Sequence, residues 1–137
     1  MKLFLDSGAL IARTLENDAN HVAAVDMFRR ISEREVPYEH LFTSNFVVDE
    51  TLTFLLYRAG SRPALEVLGW VRGSPNVRVV HVSEDVEVEA DREFRRFARS
   101  RVSYTDCTTK VLVERGAIDA VFSFDRDIGV LGLPRVP

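Results

Sequence analysis

The amino-acid sequence predicts an α/β fold, a three-layer α/β/α sandwich built on a mostly parallel central sheet. Short apolar runs alternate with stretches of helical period from one end of the chain to the other, which is the order that βα units leave in a sequence. Hydroxyl, Asn and Gly residues stand where the pattern changes, as helix caps and stops do. With 137 residues, 46% of them hydrophobic, the chain can build one compact core and is short for two, so residues 1–137 are expected to form a single domain.

Lys2, Leu3, Phe4 and Leu5 read as a short buried strand. A helix is expected to begin near Gly8 and run to Leu15. Asn20 suits the N-cap of an amphipathic helix from His21 to Ser32, with Val22, Val25, Phe28 and Arg29 setting the spacing, and Pro37 ends that segment. Leu41 to Thr43 make a second strand. Ser44 or Asn45 can cap a helix reaching Arg58, where Gly60 stops it, and Ser61 to Val71 reads as another helix. Gly73 to Asn76 form a turn before the strand Val77 to Val82. Ser83 caps a helix to about Ala98, and Thr105 one that ends at Gly116. Ala120 to Phe124 is the next strand, and the tail holding Leu131, Leu133 and Val136 adds a weak last one. No repeat or low-complexity tract interrupts this order.

Composition narrows the function only slightly. A net charge of −3 does not suit a globally basic nucleic-acid binder, although arginines cluster between Arg92 and Arg101. No apolar run approaches the roughly 18 residues of a membrane span. The N-terminus lacks the basic, apolar, small-residue order of a signal peptide, and the one cysteine, Cys107, excludes an intrachain disulfide, so a reducing cytoplasm is expected.

Four acids carry the chemistry. Asp6 leaves the first strand, Glu50 interrupts an aromatic stripe of Phe46, Phe54 and Tyr57, Asp106 opens the helix before the last long strand, and Asp125 follows that strand. In open α/β sheets ligands bind outside the carboxyl ends of the strands, and Asp6, Asp106 and Asp125 are all placed at that edge. Each has a structural reading too. Asp6 and Asp125 can cap the segments that follow them, and Asp106 can favour a helix dipole or pair with Lys110. Large apolar neighbours around the Glu50 helix make it hard for this carboxylate to reach bulk water, and its structural reading is that the side chain snorkels or pairs with an arginine. On the basic helix, Val86, Ala90, Phe94 and Phe97 are expected to be buried, with Arg92, Arg95, Arg96 and Arg99 opposite. That face can grip phosphates, or simply be solvated and complement the helix dipole, with Asp91 pairing Arg95. His21, His40 and His81 have no zinc-ligand spacing, no Gly-rich phosphate loop is present, and Ser7 lacks a histidine placed to activate it.

Four stretches together resemble the PIN domain family, most closely its VapC-type toxin ribonucleases. They are Phe4-Leu5-Asp6-Ser7-Gly8-Ala9-Leu10, Val48-Asp49-Glu50-Thr51, Tyr104-Thr105-Asp106-Cys107 and Phe122-Ser123-Phe124-Asp125-Arg126-Asp127. The resemblance implies a Rossmann-like sheet and RNA cleavage dependent on Mg²⁺ or Mn²⁺. It also implies frequent homodimers and a cognate antitoxin. Its acidic site falls on Asp6, Glu50, Asp106 and Asp125, with Ser123 supporting the last acid and Asp127 supplementing it; Arg92, Arg96 and Arg99 are candidate RNA contacts. Asp6 and Asp106 are expected to bind the principal ion, and Glu50 and Asp125 a second ion or an oriented water, as hard divalent cations prefer oxygen ligands. Thr108, Thr109 and Lys110 depart from the family pattern, and Lys110 stands where it can compete with metal for Asp106. A non-catalytic module of the same fold, binding RNA or protein through the arginine or aromatic helix, is the alternative reading.

Overall fold

A computed structural model describes residues 1–137. Five parallel strands form one sheet in the order β3-β2-β1-β4-β5, with β1 at Lys2–Leu5, β2 at His40–Ser44, β3 at Val77–Val80, β4 at Ala120–Phe122 and β5 at Arg135–Val136. The helices are α1 (Ser7–Thr14), α2 (His21–Ser32), α3 (Asn45–Ala59), α4 (Ser61–Gly73), α5 (Glu84–Phe97), α6 (Tyr104–Arg115) and the short α7 (Asp127–Val130). In register, Leu3 lies between Leu41 and Ala120, and Leu5 beside Phe122. Leu3, Phe4, Leu5, Val121 and Phe122 are wholly buried, as apolar strands of a sheet covered on both sides must be.

Helices α1 to α4 cover one face and α5 with α6 the other. Phe28 of α2 packs on Phe122 at 5.1 Å between ring centroids. Val79 of β3 joins Val48, Leu55, Val67 and Val71 in an apolar cluster under α3 and α4. On the opposite face, Phe42 and Val80 lie with Val86 of α5 and Leu112 of α6. The chain steps outward from β1 to β3, then returns across the second face to β4. The strand order therefore reverses between β1 and β4, and a crevice opens at their carboxyl ends.

Several boundaries depart from the sequence expectation for local reasons. On α2 the buried stripe is Ala24, Met27, Phe28 and Ile31, while Val22 is 81% exposed and Val25 also faces solvent. The two stripes share Phe28 and differ by about one residue of rotation, and packing against the sheet selects the one carrying Met27 and Ile31. Asn20 precedes α2 without a side-chain cap bond. Strand β3 stops at Val80, since the Val82 N–H is taken by Asn45 Oδ1 at 2.8 Å. Strand β4 stops at Phe122, just before Ser123 turns its hydroxyl into the crevice. Helix α6 is capped by Ser103, not Thr105.

Candidate functional site

The crevice between β1 and β4 is lined by a chain of hydrogen-bonded side chains. Asp6 follows β1 directly and is 4% exposed. Its Oδ1 accepts from the Ser7 N–H at 2.9 Å and so caps α1, and its Oδ2 accepts from Ser123 Oγ at 2.6 Å. Ser123 Oγ in turn accepts from the Asp125 N–H at 3.0 Å, and Asp125 Oδ1 from the Asp127 N–H at 2.9 Å. Asp6 thus has the capping role foreseen for it, whereas Asp125 braces the turn into α7 through the Asp127 N–H without being the N-cap, which is Arg126; those bonds hold both carboxylates at the strand ends.

Asp106 reaches the same edge from the other face. Helix α6 runs back to β4 antiparallel, so its first turn sits at the carboxyl rim. There Ser103 Oγ accepts from the Asp106 N–H at 3.1 Å, and Asp106 is 6% exposed. One carboxylate oxygen each of Asp106, Asp125 and Asp127 lie within 4.8 Å of one another. Asp6 and Glu50 do not join that trio at the same spacing. They are tied to it by charge: burial first, then the fields of Asp6, Asp125 and Glu50, push the Asp106 carboxyl up to about 7. Burial likewise pushes Asp6 up to about 6, with Glu50 and Asp125 adding to the rise and the bonds from Ser123 and Ser7 opposing it.

Glu50 arrives differently from the sequence expectation. It is exposed, because α3 buries Val47, Val48, Thr51 and Leu55 and leaves Phe54, Leu56 and the 82% exposed Tyr57 in solvent. Large apolar groups on this helix do not force the carboxylate inward. Its placement comes from Ser7, whose hydroxyl donates to Glu50 Oε1 at 2.9 Å. Sequence alone suggests Ser7 only as a nucleophile; its position beside Asp6 is the signal for this positioning role.

Lys110 is a second correction. Its ammonium is bonded to Glu114 at 2.7 Å and Glu93 at 3.3 Å, away from Asp106. None of the chain's ion pairs involves Asp6, Glu50, Asp106, Asp125 or Asp127. Thr108 donates to the Thr105 carbonyl at 2.6 Å, and Cys107 is fully buried with its thiol pushed up to about 11, chiefly by burial. On α5, Asp91 does not pair with Arg95: it accepts from the Tyr104 hydroxyl at 2.8 Å. Phe94 is not buried either, standing 39% exposed with its ring 5.7 Å from that of Tyr104. Arg92, Arg96 and Arg99 are exposed and outside every ion pair, with Arg96 over the Phe97 ring.

No histidine or cysteine stands with the acids, so the donor set is oxygen only. Crowded carboxylates without a compensating cation, two of them holding protons far above the usual range, fit a hard divalent ion and not a soft one.

A parallel sheet with acids gathered at its switch point is the arrangement of a PIN domain, and the chain belongs to the PIN domain family, whose profile matches residues 3–132. Within it, the chain is 31% identical over 134 residues to the 23S rRNA-specific endonuclease VapC20 of Mycobacterium tuberculosis, covering 98% of this chain and 97% of that protein. The crystal structure of that relative, described as a sarcin-ricin loop cleaving toxin, superposes with a TM-score of 0.87 at 29% identity and 98% coverage of both chains. The VapC ribonuclease of Archaeoglobus fulgidus is 28% identical over 115 residues, 83% of this chain and 71% of that one. FitAcB from Neisseria gonorrhoeae has a TM-score of 0.66 over 98% of this chain and 96% of that one at 12% identity, a likeness of fold alone.

Proposed function

We propose that this protein is a divalent-metal-dependent endoribonuclease, the toxin of a VapBC-type pair, which hydrolyses RNA phosphodiester bonds with Mg²⁺ or Mn²⁺. The observation that carries the reading is the meeting of Asp106, Asp125 and Asp127 beside Asp6 at the carboxyl ends of β1 and β4. In this reading Asp6, Asp106 and Asp125 hold the principal cation with Asp127 beside them, and Glu50 serves a second ion or its water. The bound cation would supply a hydroxide-like water at neutral pH and charge stabilisation for the departing oxygen.

The chain's own residues do the remaining work. Ser123 keeps Asp6 and Asp125 in register, and Ser7 turns the otherwise free Glu50 towards the crevice. Exposed Arg92, Arg96 and Arg99 offer forked donors for RNA phosphates, and the rings of Phe46, Tyr104 and Phe94 at the same edge suit unpaired bases. The named specificity of the mycobacterial relative makes an rRNA stem-loop of sarcin-ricin type the first substrate to test. A cognate antitoxin, a homodimer and a cytoplasmic setting belong to the same reading; no helix is long and apolar enough to cross a membrane.

Purified protein freed of any antitoxin, incubated with Mn²⁺ and a panel of RNAs that includes such a stem-loop, should leave products with a 5′-phosphate and a 3′-hydroxyl. Cleavage should vanish with EDTA and fall at least a hundredfold in Asp106→Asn. RNA that is bound but left intact across the panel would instead favour the non-catalytic module.

A further inference from the structure

At the amino-terminal edge of the sheet, opposite the carboxylates, the last turns of α1, α2 and α4 and the approaches to β2 and β3 enclose a cleft of about 990 Å³. That volume is ample for a small organic ligand. Phe28, Ile31, Tyr38, Leu41 and Trp70 supply its apolar walls. Into it comes Arg13 from the last turn of α1, its guanidinium 4.3 Å from the centre of the Trp70 ring and 5.1 Å from that of Phe28, while the two rings meet edge to face at 5.8 Å.

Arg13 is half-buried and has no carboxylate partner, whereas Arg29, Lys110 and Arg115 all do. Burial alone holds its guanidinium below the usual value, with no acid opposing the change. Glu35, in the same cleft, is committed to Arg29 at 3.0 Å. The aromatic faces offset part of the desolvation, but they accept none of the fork of N–H donors that arginine presents to a planar anion. Arg34, Glu35 and Glu39 also line the cleft, so its rim carries charges of both signs and offers no continuous basic track for a polyanionic nucleic-acid backbone, whereas one anion on a flat apolar body needs only Arg13 and the rings.

We propose that the Arg13 cleft binds an apolar or aromatic monocarboxylate, the guanidinium pairing with the carboxylate and Phe28, Trp70 and Tyr38 receiving the body. The carboxylate can belong to a free small molecule or to the C-terminal residue of a peptide. This site is separate from the acidic crevice and does not depend on the reading of that crevice.

Trp70 is the only tryptophan in the chain, so its emission, excited at a wavelength that tyrosine does not absorb, reports on this cleft alone. N-acetylphenylalanine should change it saturably, and N-acetylphenylalaninamide, the same body without the charge, should bind at least tenfold more weakly to the unaltered protein. Arg13→Gln should weaken the acid at least tenfold without altering the amide, and Arg13→Lys should fall between. A short peptide ending in phenylalanine and its amidated form extend the comparison: preference for the free C-terminus supports the site, and its affinity relative to N-acetylphenylalanine tells which source fits better. Equal binding of acid and amide, tighter binding of phenyl phosphate than of the carboxylate, or no saturable response would overturn the proposal. None of these readouts involves RNA cleavage, so failure here and failure of the nuclease reading are told apart.

Discussion

Ser123 is the hinge of the acidic crevice at the level of single residues. Its wholly buried hydroxyl donates to Asp6 and accepts from the Asp125 N–H, so two acids from distant segments are aligned by one oxygen. A hydrogen bond to a charged group contributes about 1.5–3 kcal/mol, and its loss leaves a buried acceptor unmet. Ser123→Ala should therefore lower stability by about that amount at neutral pH. The Ser123 bond also opposes the rise in the pKa of Asp6. Without it Asp6 should keep its proton to still higher pH, moving the acid limb of the cleavage profile upward. A pH–rate profile and a thermal melt check both, and a profile that stays in place would show that Ser123 does not govern Asp6. The sequence marks Ser123 and Asp127 as supports only through family resemblance, since two small polar residues after a strand carry no spacing signal of their own. The bond from Ser7 is not legible there either, because its partner, Glu50, lies on a helix whose rotation is set by packing.

Among the elements, α6 shows how local signals divide into legible and illegible. Caps at Ser44 and Ser83 and the stop at Gly60 are readable because each depends on a side chain within a turn of its target, or on a φ of 93° that suits glycine. Ser103 and Thr105 are both good caps two residues apart, and only packing against α5 decides between them. The same packing brings Glu93 of α5 to Lys110, whose other partner, Glu114, lies one turn along α6 itself. Lys110→Met should cost up to about 3 kcal/mol, because half-buried Glu93, with one oxygen already unpartnered, loses its cation. Mn²⁺ affinity, measured by calorimetry, should stay within twofold of the unaltered protein. A marked rise would mean that Lys110 competes for Asp106 after all. Helix α3 departs from expectation for a related reason: a stripe of Phe46, Phe54 and Tyr57 marks a face, but nothing in the sequence says whether that face meets the sheet or solvent.

For the whole molecule, the parallel sheet is legible because apolar runs and helical segments alternate, and the edge bearing the acids is legible because three of them immediately follow a strand or open the helix before one. The strand order is not, since it depends on the crossover after β3 returning across the opposite face, and that reversal is what brings Asp6 next to Ser123. The consequence of the topology is electrostatic. In the unfolded chain Asp6 and Asp106 lose their protons near 3.8, whereas folding raises them to about 6 and about 7. Between those limits the folded state binds more protons, so this contribution to stability is complete below pH 4, declines as pH rises towards 7, and stays lost above. Each tenfold difference in proton affinity between the folded and unfolded states corresponds to about 1.4 kcal/mol, so the cost of the metal-free crevice at pH 8 is of the order of several kcal/mol. A divalent ion that binds only the folded, deprotonated site should recover about 2.7 kcal/mol when present at a hundred times its Kd, and almost nothing at pH 4 where protons hold the oxygens. Thermal melts with and without Mn²⁺ should diverge at pH 8 and coincide at pH 4. Asp106→Asn, with one repelling charge removed, should melt higher than the unaltered metal-free protein at pH 8 and gain little from Mn²⁺. Coincident curves for the unaltered protein at pH 8 would mean that the crevice tolerates its negative charge without a cation, and the nuclease reading would lose its physical basis.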